Sequence, residues 1–537
     1  MPRLRALLAS LLVGGATLGP GPAPGGAPAR AAELLQVRLG DLQLPLNLQQ
    51  LQIWSQDPSA AVARSATDDD LALWLDLLEP EARRNLRQLL RSPLLRDRSF
   101  SQQLLSSWAG ERMLAEVGAL MTGPDGSSTA PLLQRTLRRG LEHRGEVTTL
   151  ELLRDLPVPV LTLQLDGLLA MGQRWRRELD RQTRAFQALP DQGLPARQLG
   201  RRAGLAGAPR RPQRLWLSVP HRGELLPLSL WLPPRSARPA PPGRPWLLLM
   251  PGLGGTAEQL SWLAAGLAGR GWPGLVLQHP GSDEAALRAS LDGDRPPPGA
   301  ESLPQRQADI RAVLAAQSKG QIPGLAAGSP VVLVGHSLGA VAALLAAGLP
   351  PEPDLEGRCR QAIERLPISN PSQLLQCQLA SVPLPPPEPA PTGLRAVVLL
   401  NGFGSLLWPR RGLAGLPVPA LVVGGSLDLV TPPLREQLDL FSPPANPANR
   451  LALVQGGSHF SPVRLDPGDG ALFRLGDELV GVEPARVQEA LLSLMEEFLD
   501  GLQPPATLVP QRRRQAGVTT WVLDAESAGR WRRSLSE

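Results

Sequence analysis

The sequence predicts an α/β fold, in which a mostly parallel sheet carries helices on both faces, with an N-terminal all-helical domain and a cap insertion. Three observations carry the prediction. Between residues 214 and 503, apolar runs typical of buried strands alternate with helical patterns. Residues 32–190 show helical periodicity. One strand runs through a tight glycine-containing turn directly into an Ala- and Leu-rich helix. With 42% hydrophobic residues the chain can bury a large core, which excludes wholesale disorder.

The first 31 residues have the pattern of a secretory signal peptide. Arg3 and Arg5 precede the apolar stretch Ala6–Leu18, which is too short to span a bilayer easily. An A-x-A cleavage pattern ends at Ala31. We therefore expect export to a periplasmic or extracellular location, and a retained N-terminus, disordered or anchoring, is the alternative.

Residues 32–190 are predicted to be mainly helical and to form the N-terminal domain. The predicted stretches are Asp70–Leu78, Ala82–Leu90, Phe100–Met121 and Leu165–Leu189. Thr148 and Glu151 form a capping-box pattern at the start of a further helix. Because no catalytic constellation stands out here, we expect a packing or partner domain whose partner is unknown.

Residues 191–213, rich in Gly, Ala, Arg and Pro, are predicted to be a linker, and residues 214–503 the catalytic domain. The predicted strands are Arg214–Val219, Leu225–Leu232, Trp246–Met250, Leu275–Gln278, Pro330–Val334, Ala396–Leu400, Ala420–Val423 and Leu451–Val454. The predicted helices are Ala257–Gly269, Gln305–Gln317, Leu338–Ala347, Leu434–Phe441 and Val487–Leu499.

Three irregular segments complete the chain. Residues 282–304 and 349–391 follow strands or their helices, where insertions can form a cap over a site. The second contains Cys359 and Cys377, for which a disulfide is expected in an exported protein and two free thiols are the alternative. Residues 504–537 are predicted to be a solvated, Arg-rich C-terminal tail, with peripheral contact to anionic lipid as the alternative.

The formal net charge of +6 is carried almost entirely by arginine, because Lys319 is the only lysine. The arginines are spread along helical segments and the chain has no Tyr. This uniform bias indicates coding bias first and an anionic-lipid or nucleic-acid surface second. We expect no nucleic-acid partner.

Ser337 is the candidate nucleophile. The strand ending at Val334 runs into Gly335-His336-Ser337-Leu338-Gly339 and then into a helix. This strand–turn–helix context is typical of a nucleophile elbow. A serine hydroxyl is a weak nucleophile at neutral pH, so it needs a neighbouring base, a group that orients the base, and donors for the developing oxyanion.

His459 is the candidate base by elimination. In folds with such an elbow the chain order is Ser, acid, His. The five histidines are His143, His221, His279, His336 and His459. Of these, His459 alone follows the serine, in the loop Gly456-Gly457-Ser458-His459 after a predicted strand.

Asp428 is the candidate acid. The carboxylates between Ser337 and His459 are Glu352, Asp354, Glu356, Glu364, Glu388, Asp428, Glu436 and Asp439. The first five fall in the insertion and the last two on a predicted helix. Asp428 alone follows a buried strand, where it can hold the proton-bearing nitrogen of an imidazole. A helix-capping role before Pro432 is the competing interpretation.

The oxyanion hole is predicted to use two backbone N–H groups. One is that of Leu338, directly after the nucleophile. The other is that of Leu253 in Gly252-Leu253-Gly254, after the strand Trp246–Met250, although a glycine turn that merely packs is the alternative. His279, at the end of the next strand, is a weaker candidate for the border of the pocket.

At these residues the chain resembles the α/β-hydrolase superfamily. Residues 245–460 look like the branch that contains dienelactone-hydrolase-like proteins and platelet-activating-factor acetylhydrolases. In the acetylhydrolases a Gly-Leu-Gly loop supplies the oxyanion-hole leucine, which matches Leu253. Dienelactone hydrolases use Cys where this chain has Ser337, so that activity is disfavoured. Residues 33–160 resemble a helical domain of unknown function found ahead of such hydrolases in exported bacterial proteins.

The residues and the resemblance together favour a serine esterase that forms an acyl-enzyme and needs no metal or organic cofactor. Its expected substrate is a small-molecule or lipid ester, with short-chain or phospholipid-type acyl esters implied by the resemblance. A serine peptidase or amidase with the same triad is the alternative. A non-catalytic binding protein is disfavoured because the candidate triad is complete.

Overall fold

A computed structural model describes residues 31–57, 71, 75, 78–91, 93–96, 108–144, 146–200, 211–234, 243–292, 298–364, 370–443, 446–464, 482–502 and 507–535. Residues 1–30 of the predicted signal peptide lie outside the described residues, as do most of the predicted helix Asp70–Leu78 and the start of Phe100–Met121. Among the described helices, none combines the length and apolarity needed to cross a bilayer.

The N-terminal domain contains both strands and helices. Its strands are β1 Leu34–Leu39, β2 Leu42–Asn47, β3 Pro93–Arg96, β4 Met121–Thr122, β5 Glu146–Thr148 and β6 Val160–Gln164. Its helices are α1 Leu48–Gln56, α2 Pro80–Arg91, α3 Trp108–Leu120, α4 Ala130–Arg144, α5 Thr149–Asp155 and α6 Leu165–Gln187. The capping box predicted at Thr148 and Glu151 starts α5.

The prediction of an all-helical domain is wrong. Four strands form a sheet in the order β2-β1-β6-β4, and β3 pairs with β5. In β1 the side chains of Leu35 and Val37 are buried while their neighbours are more exposed, the alternation of a half-buried strand. These strands have six residues or fewer, and apart from the hairpin of β1 and β2 their pairing partners are far away in the chain. Local periodicity therefore favoured the longer helical patterns that flank them.

Helix α6 joins the two domains, so the predicted boundary at residue 190 is also wrong. Its N-terminal half contacts β1. At its other end, Ala185 and Phe186 belong to the buried core of the large sheet, and Gln182 donates a side-chain hydrogen bond of 2.8 Å to the carbonyl of Ser426. The C-terminal part of α6 therefore belongs structurally to the domain of the large sheet.

The C-terminal domain is built on eleven described strands in one sheet. Its strands are β7 Ala196–Gln198, β8 Gln213–Leu217, β9 Leu226–Trp231, β10 Trp246–Met250, β11 Gly274–Leu277, β12 Val331–His336, β13 Leu394–Leu400, β14 Ala420–Gly425, β15 Arg450–Val454, β16 Gln511–Gln515 and β17 Val518–Leu523. Its helices are α7 Ala257–Ala268, α8 Glu284–Asp292, α9 Leu303–Ser318, α10 Leu338–Ala346, α11 Leu355–Glu364, α12 Ser372–Gln378, α13 Gln437–Phe441, α14 Pro484–Asp500 and α15 Ala525–Ser534. The predicted fold class, a mostly parallel sheet with helices, is confirmed.

The strand order is β7-β16-β17-β15-β14-β13-β12-β10-β11-β9-β8. The six central strands, from β15 to β11, pair in parallel. The chain moves outward from β10 to β11 and then returns to the other side of β10 for β12. Ligands of open α/β sheets bind at the carboxyl ends of the strands where the strand order reverses in this way. A ligand site is therefore expected at the loops that follow β10 and β12.

Helices cover both faces of the sheet. One face packs against α9, α10, α13, α15 and the end of α6, and the other against α7 and α14. The side chains of β10, β12 and β13 are almost completely buried, as expected for central parallel strands that are covered on both sides. These strands form a rigid base for the loops at their carboxyl ends.

The predictions of a linker at 191–213 and a solvated tail at 504–537 are wrong for the described parts of both segments. Strand β7 pairs with β16, and β16 and β17 form a hairpin that extends the sheet beyond β15. In the Arg-rich segment, Arg513 is buried and paired with Glu497 at 3.0 Å. Trp531 of α15 is also buried and donates to the carbonyl of Ala185. Side chains alternate between the two faces of a strand, so the charged segment β16 can bury every second side chain while Arg512 and Arg514 stay exposed.

The insertion 349–391 contains α11 and α12, which are linked by a disulfide between Cys359 and Cys377. Of the two possibilities left open by the sequence, the structure has the disulfide. The insertion is also attached to the rest of the C-terminal domain through the buried carboxylate of Glu436, which accepts hydrogen bonds from Ser372 and Gln376. The same carboxylate accepts the backbone N–H of Gly404, so it joins the insertion to the loop after β13.

Candidate functional site

Ser337 occupies a strained turn between β12 and α10. Its backbone has φ 52° and ψ −120°, a conformation that costs a non-glycine residue free energy and is concentrated at functional sites. The flanking glycines are required by close approach. A Cβ on Gly335 would lie 2.2 Å from the carbonyl oxygen of Gly339, and one on Gly339 would lie 2.3 Å from that of Met250. The strand and the helix can therefore approach closely enough to present Ser337 at the tip of the turn.

Asp428 and His459 are in direct contact, on the loops after β14 and β15. The Nδ1 atom of His459 lies 2.9 Å from Oδ2 of Asp428, and both side chains are buried. Asp428 also accepts the backbone N–H groups of Val430 and Thr431 at 2.9 and 2.7 Å and the hydroxyl of Thr431 at 2.7 Å. This set of donors orients the carboxylate toward the imidazole. In the competing interpretation Asp428 only caps a helix before Pro432. In the structure its carboxylate accepts backbone N–H groups of the following turn and also contacts the imidazole of His459.

His336, the residue before the nucleophile, holds the loop of the candidate base. Its Nε2–H donates to the carbonyl oxygen of His459 at 2.9 Å, and the two rings lie 5.0 Å apart. Burial, and secondarily the charge of His459, lower the pKa of His336 to about 3, so its ring stays neutral. His336 thereby ties the base loop to the turn that carries Ser337. Apart from the position of His336 in the motif, no sequence pattern predicts this contact.

Asn401, directly after β13, is a second residue that sequence reasoning missed. Its side-chain amide donates to the backbone carbonyl of Ser458 at 2.9 Å, and its backbone carbonyl lies 3.1 Å from the Thr431 hydroxyl, as a second and more distant acceptor for the proton that Asp428 accepts at 2.7 Å. It lies in the left-handed region with φ 48°, which asparagine tolerates better than most residues. Asn401 thus connects the base loop to the acid loop, and a polar residue at the end of a buried strand was the available signal.

The loop after β10 lies against the nucleophile. A Cβ on Gly252 would come within 3.1 Å of both Ser337 Cβ and His336 Nδ1, so only glycine leaves these groups undisturbed. Within the described chain, the backbone N–H groups of Leu253 and Leu338 donate to no protein acceptor. Leu338 is the first residue of α10, where N–H groups have no intrahelical acceptor. Both N–H groups that the sequence proposed for an oxyanion hole are therefore available to a ligand.

His279, the weaker candidate, is fully buried in a charged cluster behind this loop. Its Nδ1 lies 2.8 Å from Asp309, which also pairs with Arg222 at 2.6 Å and with His221 at 2.7 Å. Burial is the main cause that lowers the pKa of His279 to about 4, and the Arg222 and histidine hydrogen bonds hold the pKa of Asp309 at about 2 against its burial. His279 is thus a neutral partner of Asp309, and the structure does not bring it into contact with the candidate triad.

Among the described residues, no group of three or more His, Cys, Asp and Glu side chains is arranged to hold a metal ion. The groups at the carboxyl ends of β10, β12, β14 and β15 are those that acyl transfer requires. They are a strained serine, a histidine paired with a buried carboxylate, and the two backbone N–H donors of Leu253 and Leu338.

Residues 31–164 match a family model described as "Alpha/beta hydrolase of unknown function (DUF1400)". The matched range is the N-terminal domain and not the sheet that carries Ser337. It agrees closely with residues 33–160, for which the sequence showed a resemblance to a domain found ahead of such hydrolases. The match supports the α/β-hydrolase superfamily and hence a hydrolase, and it does not extend to the narrower dienelactone-hydrolase or acetylhydrolase branch. No curated protein matches the chain.

Proposed function

We propose that the protein is a serine hydrolase of carboxylic esters, with Ser337, His459 and Asp428 as its triad. The observation that carries the proposal is the 2.9 Å hydrogen bond between Asp428 and His459, on loops that His336 joins to the strained turn of Ser337. The hydrolase class rests on the family match as well. The ester preference rests on the resemblance of residues 245–460 to esterase branches.

The proposed reaction begins when Ser337 Oγ attacks the ester carbonyl while His459 Nε2 takes the hydroxyl proton. Asp428 holds the Nδ1–H of His459 and stabilises the imidazolium that forms. The negative charge on the tetrahedral oxygen is bound by the N–H groups of Leu338 and Leu253. His459 then protonates the leaving alkoxide, which departs as an alcohol. A water that gives a proton to His459 then attacks the acyl-enzyme. As the second tetrahedral intermediate collapses, the bond to Ser337 Oγ breaks, His459 returns the proton to Oγ, and the carboxylic acid is released.

The proposed substrates are short-chain or phospholipid-type acyl esters. Apolar groups border the candidate site: the Phe460 ring packs edge-on against His459 at 5.3 Å, and Leu253 is partly buried against the core. Such walls suit the acyl part of an ester, while the N–H donors suit its carbonyl oxygen.

We also propose that the chain acts after export, as its N-terminal sequence predicts. The disulfide between Cys359 and Cys377 supports this compartment, because disulfides persist in oxidising environments and are rare in the cytosol. We further propose that Arg512 and Arg514, whose side chains lie on the exposed face of β16, can contact an anionic lipid surface.

Labelling with a fluorophosphonate probe tests the enzyme assignment. We expect the purified wild type to be labelled and Ser337→Ala to be unlabelled. Ser318→Ala, a control that removes an exposed serine at the end of α9, should label like wild type. An unlabelled wild type, or labelling that survives Ser337→Ala, would overturn the proposal.

A substrate panel tests the ester assignment separately. Initial rates on p-nitrophenyl acyl esters, phospholipids and peptide p-nitroanilides should show Ser337-dependent turnover of the esters. Ser337-dependent turnover that is confined to the anilides would replace the esterase proposal by a peptidase or amidase.

A further inference from the structure

Arg306 of α9 places a guanidinium group beneath the loop that follows β10. The residue is 1% exposed. Its Nη1 donates to the carbonyl of Pro251 at 2.8 Å and its Nη2 to the carbonyl of Gly252 at 2.9 Å. Its Nε donates to the hydroxyl of Ser282 at 2.9 Å. One planar side chain thus binds two consecutive carbonyls of this loop and a residue of the neighbouring loop.

The direction of these contacts has a consequence for the adjacent N–H. In a trans peptide the C=O and the N–H of the same unit point in opposite directions. The carbonyl of Gly252 and the N–H of Leu253 belong to one peptide unit. Because the Gly252 carbonyl points toward Arg306, the N–H of Leu253 points away from Arg306, to the opposite side of the loop.

The nucleophile adjoins the same loop. Gly252 lies so close to Ser337 that an added Cβ would be 3.1 Å from Ser337 Cβ. The loop is also held one residue further on, where the N–H of Gly254 donates to the carbonyl of Ser282 at 2.8 Å. A flip of the Gly252–Leu253 peptide would break the Arg306 contact and leave a buried cation without one of its acceptors, which is costly.

We infer that Arg306 is a positioning residue that holds the Leu253 N–H in the direction of the oxyanion. This inference rests on the proposed function. The guanidinium acts through the peptide and has no contact with the reacting atoms. It also strengthens the donor, since a charge-assisted hydrogen bond to a carbonyl polarises the N–H of the same peptide unit.

The surroundings keep the guanidinium charged. Burial lowers the pKa of Arg306 to about 10, while the nearby carboxylates of Asp309 and Asp283 raise it in opposition. The side chain therefore remains a cation at neutral pH. Arginine suits this position better than lysine, because its planar fork reaches two carbonyls and a hydroxyl at once, whereas an ammonium is a single point charge.

The inference is tested by kinetics of Arg306→Gln and Arg306→Lys, with Arg450→Gln as a matched control. Arg450 is also buried, and its guanidinium also donates to backbone carbonyls, those of Leu508, Pro447 and Asn449. It lies at the start of β15, at the opposite end of the strand from the loop of His459. The control therefore reproduces the loss of a buried carbonyl-binding arginine away from the site.

For Arg306→Gln we expect kcat on a p-nitrophenyl ester to fall by about 10²-fold, with KM changed by less than about threefold, because the lost interaction acts in the transition state. The affinity for a trifluoromethyl ketone, whose adduct carries an oxyanion, should fall by a similar factor. Arg306→Lys should retain more activity than Arg306→Gln. Arg450→Gln should keep wild-type kcat even if its melting temperature falls.

Three results separate the possibilities. Folded Arg306 variants with wild-type kcat and ketone affinity would overturn the inference, and so would an equal loss of kcat in Arg450→Gln. If Arg306→Gln does not fold, Arg306→Lys decides by the same two readouts. A wild type that neither hydrolyses esters nor labels with fluorophosphonate would instead refute the proposed function, and this inference with it.

Discussion

Replacing Asp428 by asparagine changes one atom at the centre of the candidate site. In the structure, Oδ1 of Asp428 accepts the N–H groups of Val430 and Thr431, while Oδ2 accepts the Thr431 hydroxyl and faces Nδ1 of His459. Asparagine can keep its oxygen at the first position, where two N–H donors require an acceptor. Its NH₂ group then takes the place of Oδ2.

We expect the folded structure to tolerate this exchange, whereas His459 should lose its ability to act as a base. The Thr431 hydroxyl can accept from the new amide and donate its own proton to the carbonyl of Asn401, which is 3.1 Å away. His459 Nδ1 would then have to accept a hydrogen bond from the amide. The ring proton moves to Nε2, and a protonated Nε2 cannot take the proton of Ser337.

We expect kcat of Asp428→Asn to fall by about 10⁴-fold, the effect of the same exchange in a serine protease, which corresponds to about 5 kcal/mol in the activation barrier. The assay is steady-state hydrolysis of a p-nitrophenyl ester at neutral pH, together with thermal unfolding. Asp439→Asn is the matched control, because this carboxylate pairs with Arg532 outside the site and should keep wild-type turnover. Asp428→Asn with turnover within about tenfold of wild type would refute the assignment of the acid.

Three further predictions concern the surroundings of the site. Replacing Cys359 and Cys377 by serine should lower the free energy of unfolding by about 3 kcal/mol in chemical denaturation, because the bond closes a loop with a sequence separation of 18; an unchanged midpoint would contradict this. Gly252→Ala should lower kcat by about tenfold or more, since its Cβ crowds Ser337 and His336, and wild-type kcat would show that the loop yields freely. Acidification from pH 6.5 toward pH 3 should lower the free energy of unfolding. Burial lowers the pKa of His336 from 6.5 to about 3, so in this range the unfolded chain binds a proton that the folded chain excludes. In chemical denaturation at stepped pH, the free energy of unfolding of His336→Gln should depend less steeply on pH than that of the wild type.

Much of the candidate site could be predicted because its signals are local or follow from chain order. The nucleophile was predicted from a strand, a tight turn and a helix that all lie within a few residues of Ser337. His459 followed from counting, and Asp428 from its place after a buried strand. The structure brings these last two into contact across 31 positions of the chain, as the order of strands in the sheet requires.

The supporting residues could not be predicted in this way. Arg306 lies 55 residues from the carbonyl of Pro251, and His336 lies 123 residues from that of His459. Sequence did offer one unused signal for Arg306. It shares a helical face with Leu303 and Ile310, which are fully buried. A cation on such an apolar face needs hydrogen-bond acceptors from the groups packed around it.

By itself, then, the amino-acid sequence determined the alternating strands and helices, the strained turn at Ser337 and the identity of its candidate partners, because each depends on local periodicity or on order along the chain. Only the tertiary structure decided that the N-terminal domain contains a sheet, that the C-terminal segment adds two strands to the large sheet, and that Arg306 binds the loop of Leu253. These features depend on pairings between distant residues. A short strand has no stable partner until the chain has folded, and a buried charge acquires its acceptors only from the loops packed around it.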